Sequence, residues 1–265
     1  MSYNTILFDL ANGIATITLN RPDMLNAIST EMVAEIADAA GRVETGAARC
    51  LLITGAGKGF CAGADLGGDD INPELIQNAD FDAGLQIEQH FNPLVRQLNA
   101  LSVPIVSAVN GAAAGAGCSL ALTADFVVAS ERAYFLQAFI NIGLVPDAGS
   151  TWVLPRLVGR ARAIQMMMLG ERVPAAQALD WGMIHSVASE NDLMPSARKL
   201  AARLASGPRR SYHLLRQSIQ RALDSTLDET LDLERAFQRE AGRTAEFREG
   251  VRAFNEKRKP AFDTL

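Results

Sequence analysis

The chain has 265 residues, 48% of them hydrophobic, and a formal net charge of -5. This is enough apolar material for one sizeable core, and it excludes a disordered polypeptide. The acidic balance argues against a dedicated nucleic-acid binder, which needs an excess of Lys and Arg.

Residues 5–10 and 14–19 alternate apolar and polar side chains around Asn12-Gly13, the strongest short signal for a hairpin. Asn20-Arg21-Pro22-Asp23 breaks the second strand. Ser29 or Thr30 can then cap a helix whose apolar face is Met32, Ile36, Ala39 or Ala40, and Val43. Residues 51–54 read as a buried strand. Residues 67–82 are polar and aperiodic, the pattern of a mobile loop over the site. A second helix is predicted over 87–101, stopped before Pro104. A buried strand follows over 105–109, a close-packed helix over 113–123 and another apolar strand over 126–129. Strands alternating with helices imply crossover units and an α/β core. From about Thr151 the pattern is nearly all helical, with breaks at Gly159, Gly170, Pro174, Gly182 and Gly207-Pro208. Leu214, Leu215, Ile219 and Leu223 give the C-terminal helices apolar positions that would pack on the core, on a neighbouring subunit, or on both.

Two Gly/Ala-rich loops each follow an apolar strand. One is Gly55-Ala56-Gly57-Lys58-Gly59-Phe60-Cys61-Ala62-Gly63-Ala64-Asp65-Leu66; the other is Asn110-Gly111-Ala112-Ala113-Ala114-Gly115-Ala116-Gly117-Cys118. Small side chains leave backbone N–H groups uncovered, and such groups near a helix start attract negative charge. Two converging loops of this kind could hold an oxyanion that forms only during a reaction. The first loop fits neither the dinucleotide fingerprint nor a P-loop, because the glycine spacing differs and no Lys-Ser or Lys-Thr closes it.

Asp147 is a lone carboxylate in the apolar, Gly-rich turn Gly143-Leu144-Val145-Pro146-Asp147-Ala148-Gly149. Burial there would raise its pKa and suit it to carry a proton. It could equally be a helix N-cap, and spacing alone leaves both open. His90, His185 and His213 show no metal-ligand spacing, and His90 beside Phe91 reads as packing or surface. Cys61 and Cys118 read as small buried fillers, Met166-Met167-Met168 as adaptable core, and the basic run over 198–221 as a solvated helical face. Three cysteines without a CxxC pair or a secretory leader point to a reducing, cytoplasmic setting. No apolar run approaches the ~18 residues of a membrane span.

At these residues the chain resembles the crotonase (enoyl-CoA hydratase/isomerase) superfamily, essentially end to end. The resemblance is carried by Leu19-Asn20-Arg21-Pro22, Leu25-Asn26-Ala27, the stretch from Phe60 to Leu66, Val109-Asn110-Gly111, Gly115-Ala116-Gly117 and Gly143-Leu144-Val145-Pro146. It continues at Ala175-Ala176-Gln177-Ala178, Trp181-Gly182-Met183-Ile184 and Glu256-Lys257-Arg258-Lys259. It implies a spiral of β-β-α turns over 1–200, with a helical trimerisation region over 201–265 that forms a homotrimer or a dimer of trimers. It also implies a coenzyme A thioester as substrate, with no metal or redox cofactor. The oxyanion-hole donors fall on the N–H groups of Ala64 and Ala116. Met24, Leu25, Ala62, Asp65 and Leu66 match positions that hold the CoA moiety, and Lys257 matches a basic residue for its phosphates.

Family hydratases add water with two glutamates. Their positions are Ser119 and Phe139 here, so both carboxylates are missing. Asp147 is the one carboxylate left in the matching pocket, with Phe139 and Pro146 lining its acyl side. Moving a double bond needs only one base that removes a proton and returns it elsewhere. The string from Gln137 to Arg156 is similar to the branch of the family that isomerises ring-epoxide thioesters. The resemblance thus implies an isomerase. The alternatives are a hydratase, a dehalogenase with Asp147 as nucleophile, or a non-catalytic RNA-binding or scaffold homologue.

Overall fold

The computed structural model describes residues 3–67, 75–78 and 80–265; residues 68–74 and 79 of the expected loop over 67–82 lie outside the described residues. The hairpin forms as read. Strands β1 (Ile6–Ala11) and β2 (Ile14–Leu19) pair antiparallel, and Asn12 and Gly13 both take the left-handed backbone, φ 53° and 74°. Two such residues match the twist of the flanking strands. Helix α1 (Thr30–Thr45) is capped by Ser29, whose hydroxyl accepts the Met32 N–H at 3.2 Å, and it buries Met32, Ile36, Ala39, Ala40 and Val43.

Seven more strands follow: β3 (Cys50–Gly55), β4 (Ile105–Val109), β5 (Ala112–Ala114), β6 (Phe126–Ser130), β7 (Tyr134–Leu136), β8 (Val173–Pro174) and β9 (Ser186–Ala188). The larger sheet has the order β1-β2-β3-β4-β6-β9 and is parallel from β2 onward; the smaller has the order β5-β7-β8. Between the strands lie α2 (Ala83–Gln86), which passes through a π turn at Ile87–Phe91 into α3 (Asn92–Ala100), and then α4 (Ala116–Leu122), α5 (Ser150–Leu169) and α6 (Ala175–Asp180). Two successive turns of the chain each lay one strand in the larger sheet, one in the smaller, then a helix: β4-β5-α4, then β6-β7-α5. This is the expected β-β-α spiral.

The larger sheet is covered on both faces, which is why its strands read as continuous apolar runs. Leu51, Ile53, Ile105, Val109, Val127 and Ala129 enter the main core; Cys50, Leu52, Val106, Ala108 and Val128 face a second core with α7 (Leu193–Ala205). Helices α8 (Arg209–Ala222), α9 (Leu227–Ala241) and α10 (Ala245–Asn255) complete the chain. Their outer faces expose Leu215, Ile219, Leu223, Phe247, Val251 and Phe254, whereas Leu214 is buried. Among the described residues no helix is long and apolar enough to cross a membrane.

The structure corrects several expected elements. Residues 112–114 are strand β5, and the helix expected over 113–123 begins only at Ala116. Three alanines favour a helix in isolation. Here the Ala112 carbonyl accepts the Phe60 and Cys61 N–H groups at 3.0 and 2.9 Å, and Ala114 N–H donates to the Cys61 carbonyl at 2.9 Å, so tertiary pairing overrides propensity. The helix expected from 87 starts at Ala83, because Asp82 caps it by accepting the Gly84 N–H at 2.7 Å. The region after Thr151 is interrupted by β8 and β9, too short to show a period of two. Arg216 leaves the basic solvated face: it is buried, pairs with Asp125 at 2.9 Å and donates to the Leu98 and Leu101 carbonyls. Met166 is core, but Met168 is exposed. Helix α7 runs through position 200 and buries Ala201, Leu204 and Ala205 against the second core.

Candidate active site

The two Gly/Ala-rich loops are stitched together. Cys61 bridges Ala113, and a Cβ placed on Gly63 would stand 3.8 Å from the Cα of Gly115. Gly63 has φ 109° and Gly115 φ 50°, conformations that L side chains rarely adopt. Gly117 must lack a side chain for a different reason: a Cβ there would lie 2.5 Å from the Cys61 carbonyl oxygen and 2.6 Å from its Sγ. Replacing Gly117 with alanine should therefore destabilise the fold by about 2 kcal/mol or more, as overpacking does. Denaturant unfolding of the Gly117→Ala variant checks this, and an unchanged midpoint would show that the contact relaxes freely.

The backbone on either side of this contact carries Ala64 and Ala116. Among the described residues neither N–H donates to any protein group. Their neighbours are paired: Asp65 N–H donates to the Ile28 carbonyl at 2.9 Å, and Gly115 N–H to the Leu136 carbonyl at 2.8 Å. Partly buried backbone donors usually find partners. Two open backbone donors next to the close approach of Gly63 and Gly115 are of the kind that can hold an acceptor oxygen. The thiols of Cys61 and Cys118 are fully buried, and burial pushes both up to about 12, which keeps them neutral fillers.

Asp147 lies in the turn before α5. The N-cap reading fails: the cap residue is Gly149, and no side chain accepts from the first turn. Instead Asp147 is half-buried, its Oδ1 is buried with no hydrogen-bond partner among the described residues, and burial raises its carboxyl to about 6. A carboxylate without donors around it keeps its full basicity, and a pKa near the working pH suits proton transfer in both directions. The turn is held in an uncommon shape by left-handed Ala148 and Gly149, φ 47° and 82°. Its tie to the loops is direct: the Ser119 hydroxyl on α4 lies 3.3 Å from the Asp147 carbonyl oxygen. Phe139 is buried, and its ring reaches within 3.9 Å of where a Gly115 Cβ would stand. Pro146, next to Asp147, is half-buried, and Ile142, Leu144 and Val145 are exposed before it.

On the other side the first loop meets the segment after β2. Leu25 and Asn26 adopt left-handed backbone, and the Leu25 carbonyl accepts the Ala62 N–H at 3.0 Å. Asp65 pairs with Arg21 at 2.8 Å. Met24, Leu25, Ala62 and Leu66 remain exposed around Ala64. These five expected positions are thus brought together. Lys257 is not brought to them: it is exposed after α10, and no hydrogen bond or ion pair joins it to this group. Two residues with local roles were not read from the sequence. Asn26 is fully buried: its Oδ1 accepts the Arg21 N–H and its Nδ2 donates to the Ala56 and Gly59 carbonyls, all at 2.9 Å, which pins the start of the first loop. Ser150 sits against Ser119. A buried asparagine in a sharp turn is the one sequence signal that could have found the first; nothing in the sequence marks the second.

The model of the enoyl-CoA hydratase/isomerase family matches residues 9–264. Across 97% of both chains, 258 residues, the protein is 48% identical to the 1,2-epoxyphenylacetyl-CoA isomerase of Escherichia coli K12. It is 36% identical over 266 residues, 99% of both chains, to the trans-2-decenoyl-[acyl-carrier-protein] isomerase of Streptococcus mutans. The crystal structure of an enoyl-CoA hydratase from Polaromonas sp. JS666 superposes with a TM-score of 0.88 at 32% identity, covering 96% of this chain and 98% of that one. Fold, loop geometry and relatives agree from one end of the chain to the other: it belongs to the enoyl-CoA hydratase/isomerase family, the crotonase superfamily.

Proposed function

We propose that the protein is an isomerase of CoA thioesters. It moves a double bond from the 3- to the 2-position of an enoyl-CoA, converts a phenylacetyl-CoA ring epoxide to the oxepin, or does both. The observation that carries this reading is Asp147: a half-buried carboxylate with an orphaned oxygen and a pKa raised to about 6, in a turn tied through Ser119 to the helix that starts at Ala116. The Asp147 carboxylate takes a proton from C2 of the acyl chain. The electron pair it leaves spreads onto the thioester oxygen, which the N–H groups of Ala64 and Ala116 hold. The new carboxylic acid returns the proton at C4. Water addition would need a second positioned acid or base. The two family positions for one are the neutral Ser119 and Phe139, and the Ser119 hydroxyl is already engaged by protein groups.

Met24, Leu25, Ala62, Asp65 and Leu66 would take the CoA moiety, with Phe139 and Pro146 toward the acyl group. Lys257 would reach CoA phosphate from the C-terminal segment. The relative named as an isomerase of an aromatic epoxide thioester, 48% identical, supports this reading, while a relative 41% identical is named a probable enoyl-CoA hydratase. Incubation with a 3-enoyl-CoA and with the ring-epoxide thioester tests it. A product of unchanged mass is expected from at least one; gain of water as the only product from both would refute it.

The exposed apolar positions of α8 and α10 fit a C-terminal region that assembles copies into a homotrimer or a dimer of trimers. Sedimentation at micromolar concentration should give three or six copies, and a stable, active monomer would rule this out.

A further inference from the structure

Between the loop that carries Ala116 and the turn that carries Asp147 lies a buried pair of hydroxyls. Ser119 and Ser150 are 5% and 2% exposed, and their Oγ atoms are 2.5 Å apart. Ser119 Oγ also stands 3.3 Å from the carbonyl oxygens of Gly115 and of Asp147. Carbonyl oxygens only accept, and each hydroxyl has one proton to give. If Ser119 donated to Ser150, the Ser150 proton would find no acceptor among the described residues. The arrangement that uses every proton is directed: Ser150 donates to Ser119, and Ser119 shares its one proton between the Gly115 and Asp147 carbonyls.

This chain of bonds starts on the first residue of α5 and passes through α4. It ends on the backbone of the proposed base and on the residue before Ala116. It links α4 to the Asp147 turn, whose left-handed Ala148 gives that turn no intrinsic preference for its shape. We infer that Ser119 and Ser150 form a strut that sets the distance between the Asp147 carboxylate and the Ala116 N–H, so that both are positioning residues for proton transfer. The inference rests on the reading of Asp147 as the base. It also gives the position where hydratases carry a glutamate a use of its own here: its hydroxyl faces protein carbonyls and orients the base.

The geometry makes a specific kinetic expectation. Small displacements of a reacting group reach losses of about 100-fold in rate. Ser119→Ala removes the bond to the Asp147 carbonyl and should lower kcat at least about tenfold with KM nearly unchanged. Ser150→Ala removes only the far end, so a smaller loss, about threefold or more, is expected. Because Ser150 acts through Ser119, its substitution should cost nothing further in the Ser119→Ala background. Loss of folding stability alone would not produce this non-additivity, and melting curves are recorded beside the kinetics. Should Ser119→Ala not fold, Ser150→Ala carries the test, with the expected fall in kcat at constant KM. Wild-type kcat in Ser119→Ala, or in Ser150→Ala, overturns the strut, as does an equal factor for Ser150→Ala in both backgrounds. Asp147→Asn run in parallel separates the two levels: if it keeps its activity, the assignment of the base fails; if it is inactive while the serine variants are normal, only the strut fails.

Discussion

Asp147→Asn is expected to lower isomerisation by about 100- to 10,000-fold, the usual loss of one general base. The substitution keeps the size and planarity of the side chain and replaces the basic carboxylate with an amide that cannot take the proton near neutral pH. Its effect on stability should run the other way. Burial raises the folded-state carboxyl to about 6, while an unfolded aspartate releases its proton near 4. Between these values the folded chain binds more protons than the unfolded one, so stability falls as pH rises through the window, and the penalty is complete above about 6. Asparagine lacks that penalty. The variant should melt above the wild type at pH 7.5, and the gap should close toward pH 4. The same ionisation sets the rate: kcat/KM of the wild type should rise with pH to a plateau above about 6. A variant that isomerises within about tenfold of the wild type would contradict the assignment.

Deleting the Ala116 donor should cost about 3 kcal/mol in the transition state, or 100- to 1000-fold in kcat. An ester in place of the amide at the Ala116 nitrogen does this without changing a side chain. Since that N–H has no partner among the described residues, its loss breaks no bond among them. The ester also weakens the Gly115 carbonyl, which accepts the Cys118 and Ser119 N–H groups at 3.0 and 3.2 Å. A modest fall in melting temperature is therefore expected beside the large fall in rate. Unchanged turnover by the folded ester variant would remove Ala116 from the mechanism.

The parts of this fold that could be read from sequence are those whose cause is local. Asn12-Gly13 dictates a two-residue turn, and Ser29 followed by Met32 and Ile36 dictates a capped helix with one apolar face; both stand as read. The misreadings have long-range causes. Ala112–Ala114 is a strand because Phe60 and Cys61, some fifty residues earlier, supply its partners. Val173–Pro174 is too short to show any period, and Arg216 looks solvated until Asp125 and the end of α3 are folded over it.

The candidate site divides along the same line. Glycine content marked both loops, and the turn before α5 marked Asp147. Whether Asp147 caps a helix or stands unpaired depends on where the α5 backbone starts, and that is set by packing. Ser150, which meets Ser119 only through the fold, had no local signal.

The measurement closest to the central claim compares two rates on one series of short acyl-CoA thioesters: isomerisation of the 3-enoyl form or the ring epoxide, and hydration of the 2-enoyl form. With Asp147 as the proposed single proton carrier, isomerisation should far exceed hydration. Glutamates restored at Ser119 and Phe139 should raise hydration where the backbone accepts them. A wild-type protein that hydrates crotonyl-CoA faster than it isomerises any thioester in the series would contradict the account.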